Sequence, residues 1–317
     1  METVTLARNA MNTRFELVLM GENPVSLRAA GEEALSEIER IENQLSLFKP
    51  GSEIAQVNAQ AAEQPVRVSP EVFHLLQHAA ELTRETEGAF DITLAPLLRC
   101  WGLLGRRDGN LPAPEALAAA RAVCGMDLVE LRPVNRTVRF ARPGVMLDLG
   151  AIGKGHAIDR AVEVLRETGV NNALIHGGTS TVYALGHPPE AGFWRVAIGD
   201  PLAGAADYPS EIALRDESLS VSAVSAKCFT ANGRVLGHII DPRTGEPATR
   251  AWLTAVVLPS ATETDALSTA LLVRGADGFA AVTSLRNDMR ALMVSHTPDR
   301  PSPALLHGFE PISRSPV

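Results

Sequence analysis

A lysine flanked by glycines lies where an apolar run ends and a helical pattern begins. In LDLGAIGKGHAID, residues 147–159, Asp148 and Lys154 share a strand-to-helix turn, and a helix is predicted from about Gly155 to Glu167. Amides at a helix N-terminus and a nearby cation favour a bound phosphate. The turn is not the phosphate loop of nucleoside triphosphatases, because aspartate replaces the first glycine of that motif. The alternative is a tight connection with a solvated lysine.

Three oxygen-bearing side chains recur at helical spacing later in the chain. In ETDALSTALLV, residues 263–273, Asp265, Ser268 and Thr269 are spaced i, i+3 and i+4. A helix near Asp265 to Val273 would bring all three to one face, in its first turn. Donors that are all oxygen suit a hard cation such as Mg²⁺. The alternative is that Asp265 simply caps the helix N-terminus.

A third polar group follows a predicted strand. In GHIIDPRTGEP, residues 237–247, His238 and Asp241 flank two isoleucines, and the Pro-Arg-Thr-Gly sequence is typical of a turn. The strand period of two puts His238 and Ile240 on one face, so a ligand held by Ile240 would lie beside the histidine. The alternative is a surface turn with a packed histidine.

Two further groups carry weaker signals. Asp91, in GAFDITLAPLLRCWG, predicts on its own only the start of a strand. His74 and His78 are spaced i, i+4, but no acidic ligand accompanies them, so a solvated helix face is preferred to a metal site.

The elements that must position these groups alternate between strands and helices. The helix after Ser69 has the clearest signals: Ser69 as N-cap, Pro70 at the first helical position and Gly88 as its stop. Further helices are predicted within residues 23–48 and at 112–123, and strands at 13–21, 129–150, 171–186, 193–201 and 253–259. This order, without repeats or a compositional linker, indicates an α+β protein.

Composition excludes several classes of protein. The 317 residues carry a formal net charge of −8 with 4% aromatic residues, which argues against a nucleic-acid-binding surface. Three cysteines without a C-x-x-C pair indicate neither a disulfide framework nor a zinc site. The sequence shows no signal peptide and no apolar run long enough for a membrane span. We therefore predict a cytoplasmic protein that does not bind nucleic acid and does not span a membrane.

Several of these segments, taken in order, resemble the motifs of one family. They are MNT, LSLFKPGSEIAQVN, GAFDITLAPLLRCWG, LDLGAIGKGHAID, HGGT, HIIDPRTG and TDALSTALLV, and they span roughly residues 10–275. Together they resemble the ApbE family of flavin transferases. The resemblance implies an α+β fold of mixed sheets with flanking helices, in two closely packed lobes. It implies a transferase domain at residues 1–295. The composition of the remaining residues, 296–317, predicts a loosely structured C-terminal tail.

The resemblance also implies an activity. Members of the family are Mg²⁺-dependent enzymes that cleave FAD, join FMN through a phosphoester to a threonine of a target flavoprotein and release AMP. FAD would then be the substrate and Mg²⁺ the cofactor. Because the chain contains no copy of the acceptor motif, the partner would be a separate, cytoplasmic flavoprotein. Some members hydrolyse FAD to FMN and AMP, so an FAD pyrophosphatase is the alternative, and a non-catalytic FAD-binding module is another.

Individual roles follow from the same resemblance. The metal ligands correspond to the carbonyl of Ala151 and the side chains of Asp265, Ser268 and Thr269, so that two distant segments would meet around one ion. The FAD contacts correspond to Met11, Phe48, Ala89, Phe90, Asp91, Asp148, Lys154 and Ile240. Either His238 or Asp241 would accept the threonine proton, and Asp265 completes the catalytic set. Mg²⁺ and Lys154 would stabilise charge on the phosphate oxygens.

The chain departs from the family pattern at a few positions. Phe48 replaces a common tyrosine, Asn12 a usual glycine, and Ser268 a frequent aspartate, which implies weaker Mg²⁺ binding. The loop from Ser222 to Ser225 lacks the usual Ser-Gly followed by an aromatic residue. If that loop shapes the acceptor site, its change could favour hydrolysis over transfer.

Overall fold

The computed structural model describes residues 1–105, 111–199, 211–224, 228–231, 234–295 and 304–309. The helices of these ranges are α1 (Pro24–Leu45), α2 (Glu53–Gln60), α3 (Pro70–Glu85), α4 (Ala95–Cys100), α5 (Pro114–Arg121), α6 (Gly153–Glu167), α7 (Ala261–Arg274) and α8 (Phe279–Thr283). The strands are β1 (Glu2–Ala10), β2 (Thr13–Gly21), β3 (Val66–Arg67), β4 (Val129–Arg132), β5 (Thr137–Phe140), β6 (Ala173–Gly177), β7 (Thr181–Leu185), β8 (Trp194–Ala197), β9 (Glu211–Leu214), β10 (Glu217–Ala223), β11 (Cys228–Ala231), β12 (Arg234–Gly237), β13 (Leu253–Leu258), β14 (Arg290–Val294) and β15 (Leu305–His307). The predicted α+β class is confirmed.

The chain divides into two compact units. The first unit comprises Met1–Glu39, Lys154–Ala223 and Arg250–Val317, and the second comprises Arg40–Gly153 and Val224–Thr249. Each unit is therefore built from segments that lie far apart in the sequence.

An eight-stranded antiparallel sheet forms the centre of the first unit. Its strand order is β1-β2-β6-β7-β10-β13-β14-β15. The hairpin between β1 and β2 turns at Met11 and Asn12, whose φ angles are 51° and 58°. Two consecutive positive φ angles match the right-handed twist of the paired strands, and asparagine tolerates this backbone region better than most residues.

The two faces of this sheet are covered differently. On one face, β8 and β9 place Trp194, Ile212 and Leu214 in a buried cluster with Leu174 of β6 and Val182 of β7. The opposite face of β10 carries serines at alternate positions, and α7 packs on that face. The strand period of two thus separates an apolar face from a hydroxyl-bearing one.

The second unit contains the capped helix that the sequence predicts. Ser69 accepts a hydrogen bond from the Val72 amide, and Pro70 begins α3. The helix ends at Glu85, and Gly88 follows in a left-handed conformation with a φ of 74°. A three-stranded sheet, β3-β5-β4, contains the predicted hairpin of β4 and β5.

Three local predictions were wrong in ways that matter for the site. Asp91 does not begin a strand; it lies in a loop ahead of α4. Residues 145–149 are likewise outside any strand. Helix α7 begins at Ala261 with Ser260 as its N-cap, so Asp265 lies beyond the first turn. The alternative in which Asp265 caps that helix is therefore excluded.

Two further predictions concern the start of α6 and the C-terminal tail. Helix α6 begins at Gly153, slightly earlier than predicted, which places Lys154 in its first turn. The predicted tail, residues 296–317, is described only at 304–309, where β15 pairs with β14. The rest of that segment lies outside the described residues. Within the described ranges, no helix has the length and apolarity needed to cross a membrane.

Candidate functional site

In the first unit, the carboxylate of Asp265 is held by the start of α6. Lys154 Nζ lies 3.3 Å from Oδ1 and 3.4 Å from Oδ2, and the Gly155 amide donates to Oδ2 at 3.2 Å. Asp265 is 5% exposed, so the ammonium group of Lys154 offsets a buried negative charge. The start of α6 and helix α7 therefore form one polar centre, although Lys154 and Asp265 are 111 positions apart in the sequence.

The remaining hydroxyl groups of the predicted metal set lie one turn further along α7. Ser268 Oγ is 2.9 Å and Thr269 Oγ1 is 3.3 Å from the hydroxyl of Ser222 on β10. Both also donate to the carbonyl oxygen of Asp265, at 3.1 and 3.2 Å. The helical spacing thus brings Asp265, Ser268 and Thr269 together, as the sequence predicts.

The donor chemistry of this group fits a hard divalent cation. The candidate ligands on α7 are one carboxylate and two hydroxyl groups, all oxygen donors. No cluster of three or more His, Cys, Asp or Glu side chains suited to a metal occurs in the described part of the chain. A site with one carboxylate is compatible with Mg²⁺, which commonly uses one or two carboxylates together with water and substrate phosphate. Ala151, the fourth predicted ligand, lies in the turn before α6 and belongs to the second unit.

Asp159, which sequence reasoning did not single out, caps α7. Its Oδ1 accepts from the Ala261 amide at 2.8 Å and its Oδ2 from the Thr262 amide at 2.9 Å. Oδ2 also accepts from the hydroxyls of Ser260, at 2.9 Å, and Thr262, at 2.6 Å. The sequence Ser260-Ala-Thr-Glu263 has the pattern of a capping box and could have located the helix start, but not its partner on α6.

Gly155 allows α6 to approach the start of α7 closely. A Cβ atom at this position would lie 2.0 Å from the carbonyl oxygen of Ala261 and 2.9 Å from the Cα of Thr262. Those atoms are backbone, so they cannot rotate out of the way. Glycine is required here by the close approach of two helices.

We expect Gly155→Ala to lower the free energy of unfolding by about 2 to 3 kcal/mol, because the added methyl group forces backbone apart in a packed region. Urea denaturation measures the change. Gly192→Ala is the matched control in the same unit, since nothing lies within 4 Å of a Cβ built there. A Gly155→Ala protein as stable as the Gly192→Ala protein would contradict the close approach.

In the second unit, two of the predicted flavin-binding segments lie side by side. The amide of Asp148 donates to the carbonyl of Ile92 at 2.7 Å, which places Asp148 next to the segment of Ala89, Phe90 and Asp91. The Asp148 carboxylate accepts from the Gly150 amide at 2.8 Å. The structure therefore joins two segments that the sequence presents separately.

The Asp91 carboxylate is almost completely enclosed. It accepts hydrogen bonds from the amide and the hydroxyl of Thr93, both at 2.7 Å. Burial raises the pKa of Asp91, and the hydrogen bonds from Thr93 partly oppose that shift. Ala89 and Phe90 are each 1% exposed, whereas Phe48 is 64% exposed. Phe48 is therefore the predicted flavin contact with the most aromatic surface open to a ligand.

The His238 to Gly245 segment is a turn fixed against α4 and α5. Arg243 donates to Asp241 Oδ1 through its amide and Nε, both at 2.9 Å, and to Oδ2 through Nη2 at 2.8 Å. The Trp101 indole donates to the Gly245 carbonyl at 2.8 Å. The Asp241 carboxylate is thus engaged by Arg243 and stabilises the turn.

His238 and Ile240 do not lie in one regular strand, contrary to the prediction. Strand β12 ends at Gly237, and Ile240 forms only an isolated bridge with Pro247. Ile240 is 2% exposed and packs with Leu97 and Trp101, while His238 is half-buried. The imidazole is therefore more accessible to a ligand than the isoleucine side chain.

The loop that departs from the family pattern is only partly described. Ser222 belongs to β10, and its hydroxyl forms a hydrogen bond with that of Ser268. Ser225 lies outside the described residues. Ser222 therefore contacts the candidate ligands directly. This contact is visible only in the structure, because Ser222 and Ser268 are 46 positions apart in the sequence.

Comparison with known proteins agrees with the motif pattern. A model of the ApbE family matches residues 11–293. The FAD:protein FMN transferase of Haemophilus influenzae is 29% identical over 93% of this chain and 87% of its own length. That of Treponema pallidum is 32% identical over 78% of this chain and 72% of its own length. The crystal structure of the ApbE protein from Thermotoga maritima superposes with a TM-score of 0.84 at 28% identity and covers 93% of this chain and 94% of that chain. The chain belongs to the ApbE family.

Proposed function

We propose that the protein is an FAD:protein FMN transferase. It cleaves FAD and joins FMN through a phosphoester to a threonine of a target flavoprotein, with release of AMP. The observation that carries this proposal is the buried Asp265 carboxylate, held by Lys154 and the Gly155 amide beside two further oxygen donors. The names of the related proteins support the same activity.

The proposed cation site uses Asp265, Ser268, Thr269 and the carbonyl of Ala151. Mg²⁺ bound there would neutralise negative charge on the phosphate oxygens as the reaction proceeds. Lys154 supplies a positive charge next to Asp265, and its ammonium group can donate to a phosphate oxygen. Asp265 thus has two tasks, since it binds the metal and orients the lysine.

The proposed FAD contacts are Met11, Phe48, Ala89, Phe90, Asp91, Asp148, Lys154 and Ile240. Phe48 presents an exposed ring that can stack on a flavin. The Ile240 side chain packs in the interior of the second unit, so its contribution is to the shape of the turn that carries His238.

Bond changes in the reaction define what the protein must do. The threonine oxygen forms a bond to the FMN phosphorus, and the bond from that phosphorus to the bridging oxygen breaks, so AMP leaves. The threonine proton must pass to a base. We assign this role to His238, because the carboxylate of Asp241 already accepts three hydrogen bonds from Arg243.

The experiment that tests the proposal is a turnover assay with FAD and a threonine-containing acceptor peptide, followed by chromatography and mass spectrometry. Mg²⁺-dependent AMP together with a peptide heavier by one FMN is the expected result. AMP with free FMN and an unmodified peptide would instead identify an FAD pyrophosphatase, the alternative favoured by the changed residues after Ser222. Intact FAD after long incubation would indicate a flavin-binding module. The cytoplasmic location stays a prediction.

A further inference from the structure

We propose that Asp159 is a positioning residue that sets the place of the Asp265 carboxylate by fixing helix α7 to helix α6. The inference rests on the proposed function for its link to the metal, but its structural part stands separately. Asp159 lies outside the predicted catalytic and ligand residues. Its carboxylate receives four hydrogen bonds, and every donor belongs to the start of α7.

These bonds satisfy backbone groups that a helix cannot satisfy itself. The first amides of a helix lack partners within it. In α7, the Ala261 and Thr262 amides donate to Asp159, and the Glu263 amide donates to the Ser260 hydroxyl at 3.3 Å. Asp159 therefore supplies two of the three acceptors at the helix start, and its negative charge is favoured at this end of the helix dipole.

Two contacts one helical turn apart fix the relative register of the two helices. Asp159 holds α7 at Ala261 and Thr262, while the Gly155 amide and Lys154 hold it at Asp265. A single contact would leave α7 able to rotate or slide, whereas two contacts on successive turns prevent both. The close packing at Gly155, where α6 meets the Ala261 carbonyl, lies between them.

The consequence for chemistry is indirect. Groups that orient a metal ligand typically change metal affinity or activity by about 10- to 100-fold when they are removed. Loss of Asp159 would let the start of α7 shift, and Asp265, one turn further on, would lose its alignment with Lys154. FAD contacts in other segments would be affected much less.

The test compares Asp159→Ala and Asp159→Asn with the wild-type protein. The matched control is Glu263→Gln, because Glu263 also lies in the first turn of α7 and its carboxylate pairs with Arg286 at 2.6 Å. Hydrogen exchange of a peptide covering residues 150–158 reports the Gly155 amide. Titration with Mn²⁺, followed by electron paramagnetic resonance, reports metal affinity, and steady-state kinetics separates kcat from the KM for FAD.

For both Asp159 variants, we expect faster exchange of the Gly155 amide, Mn²⁺ affinity lower by about tenfold or more, and a similar fall in kcat. The KM for FAD should stay within about threefold. Glu263→Gln should lower the melting temperature without these effects. Asp159→Asn retains one acceptor oxygen, so it serves if the alanine variant fails to fold.

Wild-type exchange and wild-type Mn²⁺ affinity in Asp159→Asn would overturn the inference. A wild-type protein that binds no Mn²⁺ would instead overturn the proposed metal site. In that case the exchange measurement still decides whether Asp159 holds α7, so the two failures are distinguishable.

Discussion

Replacing Asp265 with alanine is expected to lower the rate of FAD cleavage by about a thousandfold. A metal ion at a phosphoryl group contributes several kcal/mol of transition-state stabilisation, and about 1.4 kcal/mol corresponds to tenfold in rate. Asp265 is the single carboxylate among the proposed ligands, so its loss removes most of the negative charge that attracts the ion. The measurement is AMP release from FAD at saturating Mg²⁺.

Two further variants separate the loss of charge from the loss of structure. Asp265→Asn keeps the shape of the side chain but not its charge, and it should be nearly as inactive as the alanine variant. Asp277→Ala removes a carboxylate that is 92% exposed, and it should retain wild-type activity. Because either Asp265 variant removes the buried negative charge next to Lys154, circular dichroism must establish that each protein is folded. Activity of Asp265→Ala within a few-fold of wild type would remove this residue from the metal site.

The spacing of Asp265, Ser268 and Thr269 shows how much of the site local rules can predict. Once a helix is assigned, the three side chains must share a face, whatever the rest of the fold does. The helix after Ser69 is equally predictable from the local sequence, because its N-cap residue, its proline and its C-terminal glycine all lie within the helix or beside it. These predictions required no knowledge of distant contacts.

Other features depend on residues far apart in the chain. Asp159 and Ser260 are 101 positions apart, so no local pattern identifies one as the partner of the other. From the sequence alone, Gly155 is interpreted as a flexible turn residue. In the structure, the backbone at the start of α7 packs against Gly155 and leaves no space for a side chain. The residues around Asp91 favour a strand, but tertiary contacts place Asp91 in a loop. The positions of the chemical groups were thus more predictable than the contacts that hold them.

Substituting His238 with asparagine is expected to slow FMN transfer by about a hundredfold at neutral pH, because general-base catalysis typically contributes about 10²- to 10⁴-fold. Asp241→Asn should slow transfer by less than about tenfold, since its main effect is to weaken the turn held by Arg243. A lower melting temperature should accompany the Asp241 variant. His74→Asn, at an exposed position on α3, is the control for a histidine change without consequence.

The pH profile of transfer decides between the two candidate bases. A histidine base is active only when its imidazole is neutral, so the wild-type rate should rise with pH as the imidazole loses its proton. Asp241→Asn should retain this rising limb at a reduced rate, whereas His238→Asn should lose it. The reverse pattern would make Asp241 the base, which would require Arg243 to release the carboxylate before the proton of the threonine could be accepted.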